Sequence, residues 1–565
     1  MLKKVFLINL IFIFLGSLMA APDWSREVEI PLGETRLDIY EHGDDLPVVK
    51  TKGYIHALKW PVNVTGLIVP YQPLKYFLEE KKENPLRRLV ERIAEAQLGF
   101  TDMDELYGWL GLNIYPENSQ TSATFQIPYP TSNQVYPDYR MGASIIKAKG
   151  FPNSQALTFS CTTCHSGTFM GRSVMGLTNK RPRANEFFMM AKRYIPYVPS
   201  GFFRAATKAT REEKAMFKKT KGNLSFVGSV SPQVLGLDTS LPHVALSLHK
   251  RADDEYASKV SSRRINRRKP HLLENFVADS KPMPWWNLKY KNRWLSDGSI
   301  VQGNPILTNF LWNELGRGTD LKELEAWMKQ NPKAIDELTA AAFATSAPKW
   351  TDFFPESSLD LDAAKRGEAV FNKSCQKCHG AYEKRWSYPM ANLESVSKQI
   401  ETTRVFYHKK TPVIDVGTDP NRWMATKSFS SGLNKLKISK WMKTVVVPQK
   451  GYVPPPLEGV FLRYPYLHNN SIPNLCALMA KPSHRPKSFI QGPSQNPEDY
   501  DQECMGYPIG ADIPSAWRKD KDAFFDATKP GLKNIGHSKM FWKADGSPRH
   551  TSQEKRDLLS FLKTL

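Results

Sequence analysis

Cysteine is scarce: six residues in a chain of 565. None of the six stands near the small-residue stretch Ser17-Leu18-Met19-Ala20-Ala21, which excludes a lipid-modified cysteine there. Long apolar runs are equally scarce. Beyond residue 18 nothing approaches the ~20 apolar residues a spanning helix requires, so no stable membrane span is expected. Acidic residues are the minority, with 56 Asp and Glu against 78 Lys and Arg and a net charge of +22. A chain this basic is expected to meet acidic partners, acidic polymers or anionic surfaces, or simply to solvate a charged face. Its basic clusters, at Arg263-Arg264, at Arg267-Arg268-Lys269 and across 208–221, come with no nucleic-acid motif, and nucleic acid is excluded as a partner.

The N-terminus has the order of a secretory signal. Lys3 and Lys4 precede an apolar run of about 14 residues from Val5 to Leu18, and the small residues then lead to Pro22. Residues 1–20 are therefore expected to be a cleaved signal peptide. The mature chain is expected in the periplasm or outside the cell.

Four of the six cysteines form two copies of one pattern, Cys161-Thr-Thr-Cys164-His165 and Cys375-Gln-Lys-Cys378-His379. C-x-x-C-H is the attachment signature of c-type haem. Two thiols add across the porphyrin vinyl groups, and the adjacent histidine reaches the iron from one face. A thioredoxin-like dithiol would need a βαβ context that is not evident, and a zinc site would need further ligands at compatible spacing. The expected cofactors are two covalently bound haem c groups. Cys476 and Cys504 remain, either as a disulfide closing a loop of about 28 residues or as two buried thiols.

The fold is expected to be mainly α with long loops and minor β. It would contain two cytochrome c-like haem domains, the second heavily inserted. The 41 prolines argue for long irregular connections. Residues 21–140 form an N-terminal segment of unassigned role, read as partly β from Glu27-Val-Glu-Ile-Pro31, with a helical pattern around Leu86 to Ala96. The first haem domain is placed at 141–346 and the second at 347–565. Just before the second motif, Ala363, Gly367, Val370 and Phe371 fall on one helical stripe, where Gly367 permits close approach of another helix. Thr551-x-x-Glu554 forms a capping box ahead of Leu558, Leu559, Phe561, Leu562 and Leu565, and nominates the partner helix.

These motifs, together with a series of shorter ones, resemble the diheme c-type cytochromes related to bacterial rubber oxygenase A, distant relatives of the diheme cytochrome c peroxidases. The resemblance covers roughly 140–565. It rests on Leu157-Thr-Phe-Ser-Cys-Thr-Thr-Cys-His-Ser-Gly167, on Pro284-Trp285-Trp286 with Lys289 and Lys291, on Ala364-x-Arg366-Gly367 and on Gly417-Thr-Asp-Pro-Asn-Arg422. Tyr464-Pro-Tyr-Leu-His-Asn-Asn-Ser-Ile-Pro473, Arg485-Pro486 and Asn534-x-Gly-His537 complete it. His468-Asn469-Asn470-Ser471 departs from the family's His-Asn-Gly-Ser, although asparagine tolerates the positive φ such a turn needs. The family's distal-pocket phenylalanine has no clear counterpart.

By resemblance, His379 is the proximal and His537 the distal ligand of the second haem, with His468 a reserve ligand or a donor in the haem wall. His165 is proximal at the first haem, whose distal side is implied to be open to O₂ or H₂O₂. Met170, Met175, His243 and His249 are the available capping residues, each also readable as core or surface. Trp285 or Trp286 would carry electrons between the haems, or merely fill the core. The expectation is an exported diheme oxidoreductase, oxygenase- or peroxidase-like, with His165, Trp285 and Trp286 at the catalytic haem. The alternative is a non-catalytic periplasmic electron-transfer cytochrome. Its partner would be a small redox protein, while the oxygenase would take an apolar small molecule or polymer.

Overall fold

A computed structural model describes residues 22–79, 100–117, 125–238, 240–266 and 271–565. The signal segment, the 86–96 pattern and Arg267-Arg268-Lys269 lie outside them. The chain is mainly helical with small antiparallel sheets, and no helix among the described residues is long and apolar enough to cross a membrane.

Two close helix crossings frame the molecule. Helix Leu361–Ser374, capped by the Asp360 carboxylate on the Ala363 N–H, packs on helix Ser552–Leu562. Ala363, Gly367 and Phe371 are buried on the seam, and the Thr551/Glu554 capping box is formed. At Gly367 the approach is so tight that a Cβ would lie 1.9 Å from the Asp557 carbonyl oxygen. The second crossing joins helix Leu46–Lys59 to helix Pro332–Phe343, where a Cβ on Gly53 would lie 2.1 Å from the Glu337 carbonyl oxygen.

The run Glu27-Val-Glu-Ile-Pro31 does not form a strand. Its alternation buries Ile30 alone, Pro31 offers no N–H to a ladder, and one backbone bond, from Ile30 N–H to the Lys409 carbonyl, ties it down. The N-terminal strand contribution comes instead from Val69–Pro70, which pairs antiparallel with Ala156–Phe159. That strand is the middle of a three-stranded sheet completed by Ala143–Ile146.

The apolar interior falls into two large clusters. One gathers Leu58, Trp60, Phe310, Leu315 and Trp285; the other gathers Trp286, Phe371, Tyr464 and Phe561. The adjacent indoles Trp285 and Trp286 thus belong to different cores. Cys476 and Cys504 are joined in a disulfide, and Asn470 adopts φ 58°, the turn conformation expected of it.

Candidate haem sites

Each C-x-x-C-H opens onto its own cavity. The first motif is entered from strand Ala156–Phe159 rather than from a helix, because that stretch is already committed to the sheet. It makes the short helix Thr162–His165 and leaves into the hairpin Ser166–Phe169/Arg172–Met175. Asn179 fixes the loop, its side-chain amide donating to the Thr163 carbonyl and its N–H to the Cys164 carbonyl. The second motif continues directly from helix Leu361–Ser374 into helix Gln376–His379, with Cys375 N–H donating to the Phe371 carbonyl at 2.7 Å.

Cys161, Cys164, His165 and Trp285 line one cavity; Cys375, Cys378, His379, His468 and His537 line the other. Their empty spaces are about 1610 and 1580 Å³, part of it open to solvent. A single water's share of liquid volume is ~30 Å³, so each cavity has room for a large planar group. Lys281, Pro282, Met283 and Ser296 line both cavities and form the partition between them.

In the second cavity His379 and His537 face each other. His379 Nδ1 donates to the Pro455 carbonyl at 2.7 Å, which leaves Nε2 as its free donor pair, the arrangement that orients a metal-binding imidazole. The two ring centres are 6.4 Å apart with planes 22° from parallel. Two imidazole–metal bonds of ~2 Å plus two ring radii of about 1 Å give a spacing of about 6 Å, so one iron between them is accommodated. His537 sits at φ 57° in a loop gripped by Arg485, which donates to the carbonyls of Asn534 (2.6 Å) and Gly536 (3.0 Å). Asn534 in turn donates to the Pro486 carbonyl. Burial pushes His379 down to about 4 and His537 down to about 3, so both imidazoles are neutral near pH 7 and free to ligate. His468 stacks on Tyr452, ring centres 3.9 Å apart, and its Nδ1 has no partner.

The same cavity holds an unpaired cationic cluster. Lys291 is 2% exposed, and its ammonium donates to the Met283 sulfur at 2.6 Å. Lys281 donates to the carbonyls of Arg463 and Pro465, and Arg463 to that of Pro456. Among the described residues none of the three forms an ion pair with a carboxylate, whereas the neighbouring Lys289 pairs with Glu458 at 3.7 Å. Burial, reinforced by Arg463, drives both Lys281 and Lys291 well below the ordinary lysine range. Three enclosed basic groups with no paired acid among the described residues call for an anionic ligand, which would restore their charge, and the carboxylates of a haem meet that need.

The first cavity is built differently. His165 is enclosed, with burial lowering it to about 4 against the Met283 backbone, and its ring centre lies 5.4 Å from that of Trp285. Trp285 is anchored by its N–H on the Gly176 carbonyl. Trp286 lines neither cavity and donates from its indole to the Glu458 carbonyl at 2.9 Å. Among the capping residues considered, His243 alone lines this cavity. Its Nε2 donates to the Gly316 carbonyl (2.7 Å), and its Nδ1 faces the Asn185 Oδ1 at 3.2 Å, the Asn185 amide nitrogen donating to Asp238. Met170, Met175 and His249 line neither cavity. Arg422, paired with Asp297 at 3.3 Å, and Arg317, paired with Glu314 at 3.2 Å, supply its positive charge.

Sequence reasoning missed the roles of Lys281, Met283 and Arg463. Their one visible signal was a charged residue in an apolar, proline-rich stretch. Among the described residues no group of three or more His, Cys, Asp or Glu converges as a metal cage, so neither motif has the further ligands of a zinc site. The residues present fit covalently attached haem.

Comparison with known proteins agrees. The chain is 25% identical over 487 residues to "Uncharacterized protein y4iJ" of Sinorhizobium fredii (strain NBRC 101917 / NGR234), covering 72% of this chain and 76% of that protein. It is 24% identical over 252 residues to "Uncharacterized protein y4iM" of the same organism, covering 41% of this chain and 56% of that one. Residues 451–490, which carry Arg463 and His468, match the family described as RoxA-like, cytochrome c-like. This match supports a RoxA-like c-type cytochrome, and with it covalently bound haem c.

Proposed function

We propose that the protein is an exported diheme c-type cytochrome acting as an oxidoreductase on O₂ or H₂O₂, with Cys161, Cys164 and His165 holding the reactive haem. Cys375, Cys378, His379 and His537 hold the haem that stores and passes electrons. The observation that carries this reading is the asymmetry of the two cavities. His379 is matched by His537 at 6.4 Å, whereas on the His165 side His243, the one further histidine among the described lining residues, has Nε2 tied to the Gly316 carbonyl and Nδ1 turned onto Asn185. Met283, the methionine on that wall, accepts from Lys291.

When bound, haem supplies one-electron redox chemistry and, where a coordination position is left open, a site for O₂ or peroxide. The chain's own residues do the rest. Trp285 packs beside His165 and Trp286 continues into the second core, so consecutive indoles run from the first site into the core around the second and would offer part of an electron path. Phe159, Phe188, Trp294, Leu295, Ile300 and Trp312 give the first cavity apolar walls that exclude water and suit an apolar substrate.

The test is haem stoichiometry by pyridine haemochrome and intact mass on protein matured in a haem c-competent host. Two haems per chain are expected, falling to one in the separate C161S/C164S and C375S/C378S variants. A single haem in the unaltered chain overturns the reading. Oxygen uptake with an alkene substrate, against H₂O₂ loss with a reduced small cytochrome, separates oxygenase from peroxidase.

A further inference from the structure

Segment 192–221 carries nine lysines and arginines against two acids, Glu212 and Glu213. The two acids leave the segment a net charge of +7. Glu213 is buried in the capping box with Thr210, and Glu212 accepts from the Asn153 N–H and amide. Within this segment the chain turns over an apolar tip, Ile195-Pro-Tyr-Val-Pro-Ser-Gly-Phe202, before helix Ser200–Thr207 returns.

The tip is built to project. Phe203 faces inward and stacks on Phe217 with ring centres 4.0 Å apart and planes 4° from parallel. The Lys221 ammonium donates to the Val198 carbonyl at 2.8 Å, which pins the turn to helix Arg211–Leu224. With those contacts fixed, Tyr197 is left 82% exposed and Phe202 44% exposed. Arg193, Arg204, Arg211 and Lys218 are exposed on the helices that flank the tip. Exposed aromatic side chains at an apolar tip, carried between helices with exposed cations, match an anionic lipid–water interface, where rings sit at headgroup depth and each cation gains from the surface potential.

We infer that this tip is a peripheral docking site for an anionic lipid bilayer. Helix Ala184–Tyr194 connects it to the first cavity, which Ala184, Asn185 and Phe188 line. Its 11 residues span ~16 Å at 1.5 Å per residue, so docking holds the cavity near the membrane surface. The inference stands on charge and exposure alone and does not depend on the haem reading.

Co-sedimentation of the full chain with phosphatidylglycerol/phosphatidylcholine vesicles, and with phosphatidylcholine vesicles alone, tests it. Binding is expected to the anionic vesicles and to weaken when salt rises from ~0.1 to ~0.5 M. The exposed-site variants Y197S/F202S and R193Q/R204Q/R211Q are each expected to lower partitioning at least ~10-fold. Absence of binding to anionic vesicles, or undiminished binding by both variants, overturns the inference. So does a concentration-dependent dimer that the Y197S/F202S variant abolishes, which would make a second copy the occupant.

Discussion

Replacing Gly367 with alanine sets two effects of opposite sign against each other. Alanine in a helix interior is favoured over glycine by about 0.8–1.0 kcal/mol, so propensity alone predicts a stabilised helix Leu361–Ser374. Packing predicts the reverse. The added Cβ would stand 1.9 Å from the Asp557 carbonyl oxygen and 2.9 Å from the Phe561 Cβ. The first of these is backbone and cannot rotate aside. Reaching an ordinary 3.4 Å contact requires roughly 1.5 Å of helix separation, and overpacking of this kind costs about 1–3 kcal/mol. The displacement also strains the Arg366–Asp557 pair, 2.9 Å across the seam, and shifts Cys375 at the helix end. Because the collision is with backbone, the upper part of that range applies, about 2–3 kcal/mol, and we expect net destabilisation of about 1–2 kcal/mol after propensity is subtracted, with a perturbed spectrum of the second haem and an unchanged first. Urea unfolding followed by tryptophan fluorescence, paired with visible spectra, measures both. A midpoint equal to or above that of the unaltered protein refutes the crossing.

Three further outcomes follow from the same geometry. K291M is expected to lower the midpoint potential of the second haem by roughly tens of mV, because a positive charge on the wall of that cavity disfavours the oxidised, more positive iron; an unmoved potential in spectroelectrochemistry would refute a charged Lys291 at that haem. Removing the Cys476–Cys504 bridge in a double serine variant opens a 28-residue separation and should cost about 3–4 kcal/mol in chain-entropy terms, read as a lower urea midpoint. His243 is held near 4 by burial against ~6.5 unfolded; its contribution is full above ~6.5 and is lost as pH falls through about 4, worth up to about 3 kcal/mol, and H243Q should flatten that part of a stability-versus-pH curve.

The parts of the molecule legible in sequence are those whose signal is local. Each C-x-x-C-H is five adjacent residues. The Thr551/Glu554 capping box and the stripe through Gly367 are likewise written within one or two helical turns, and both of these occur as read. Facing histidines were a different matter. His379 and His537 come together through a loop far along the chain, held by the Arg485 clamp and by the His537 N–H on the Val416 carbonyl, and the pairing was available from resemblance, not spacing. The cationic cluster was invisible because Lys281 reaches Arg463 across 182 positions, and a lysine's sequence neighbours do not disclose whether an acid awaits it. At Glu27–Pro31 the alternation misled, since period two marks a strand only where a partner edge exists.

The central claim is that one iron is closed by protein and the other open, and carbon monoxide titration of the fully reduced protein tests it directly. The account predicts one CO per two haems, rising toward two in H537A as the second iron loses the ligand that His537 would supply opposite His379. No CO uptake by the unaltered protein, or one CO for every haem, would contradict it.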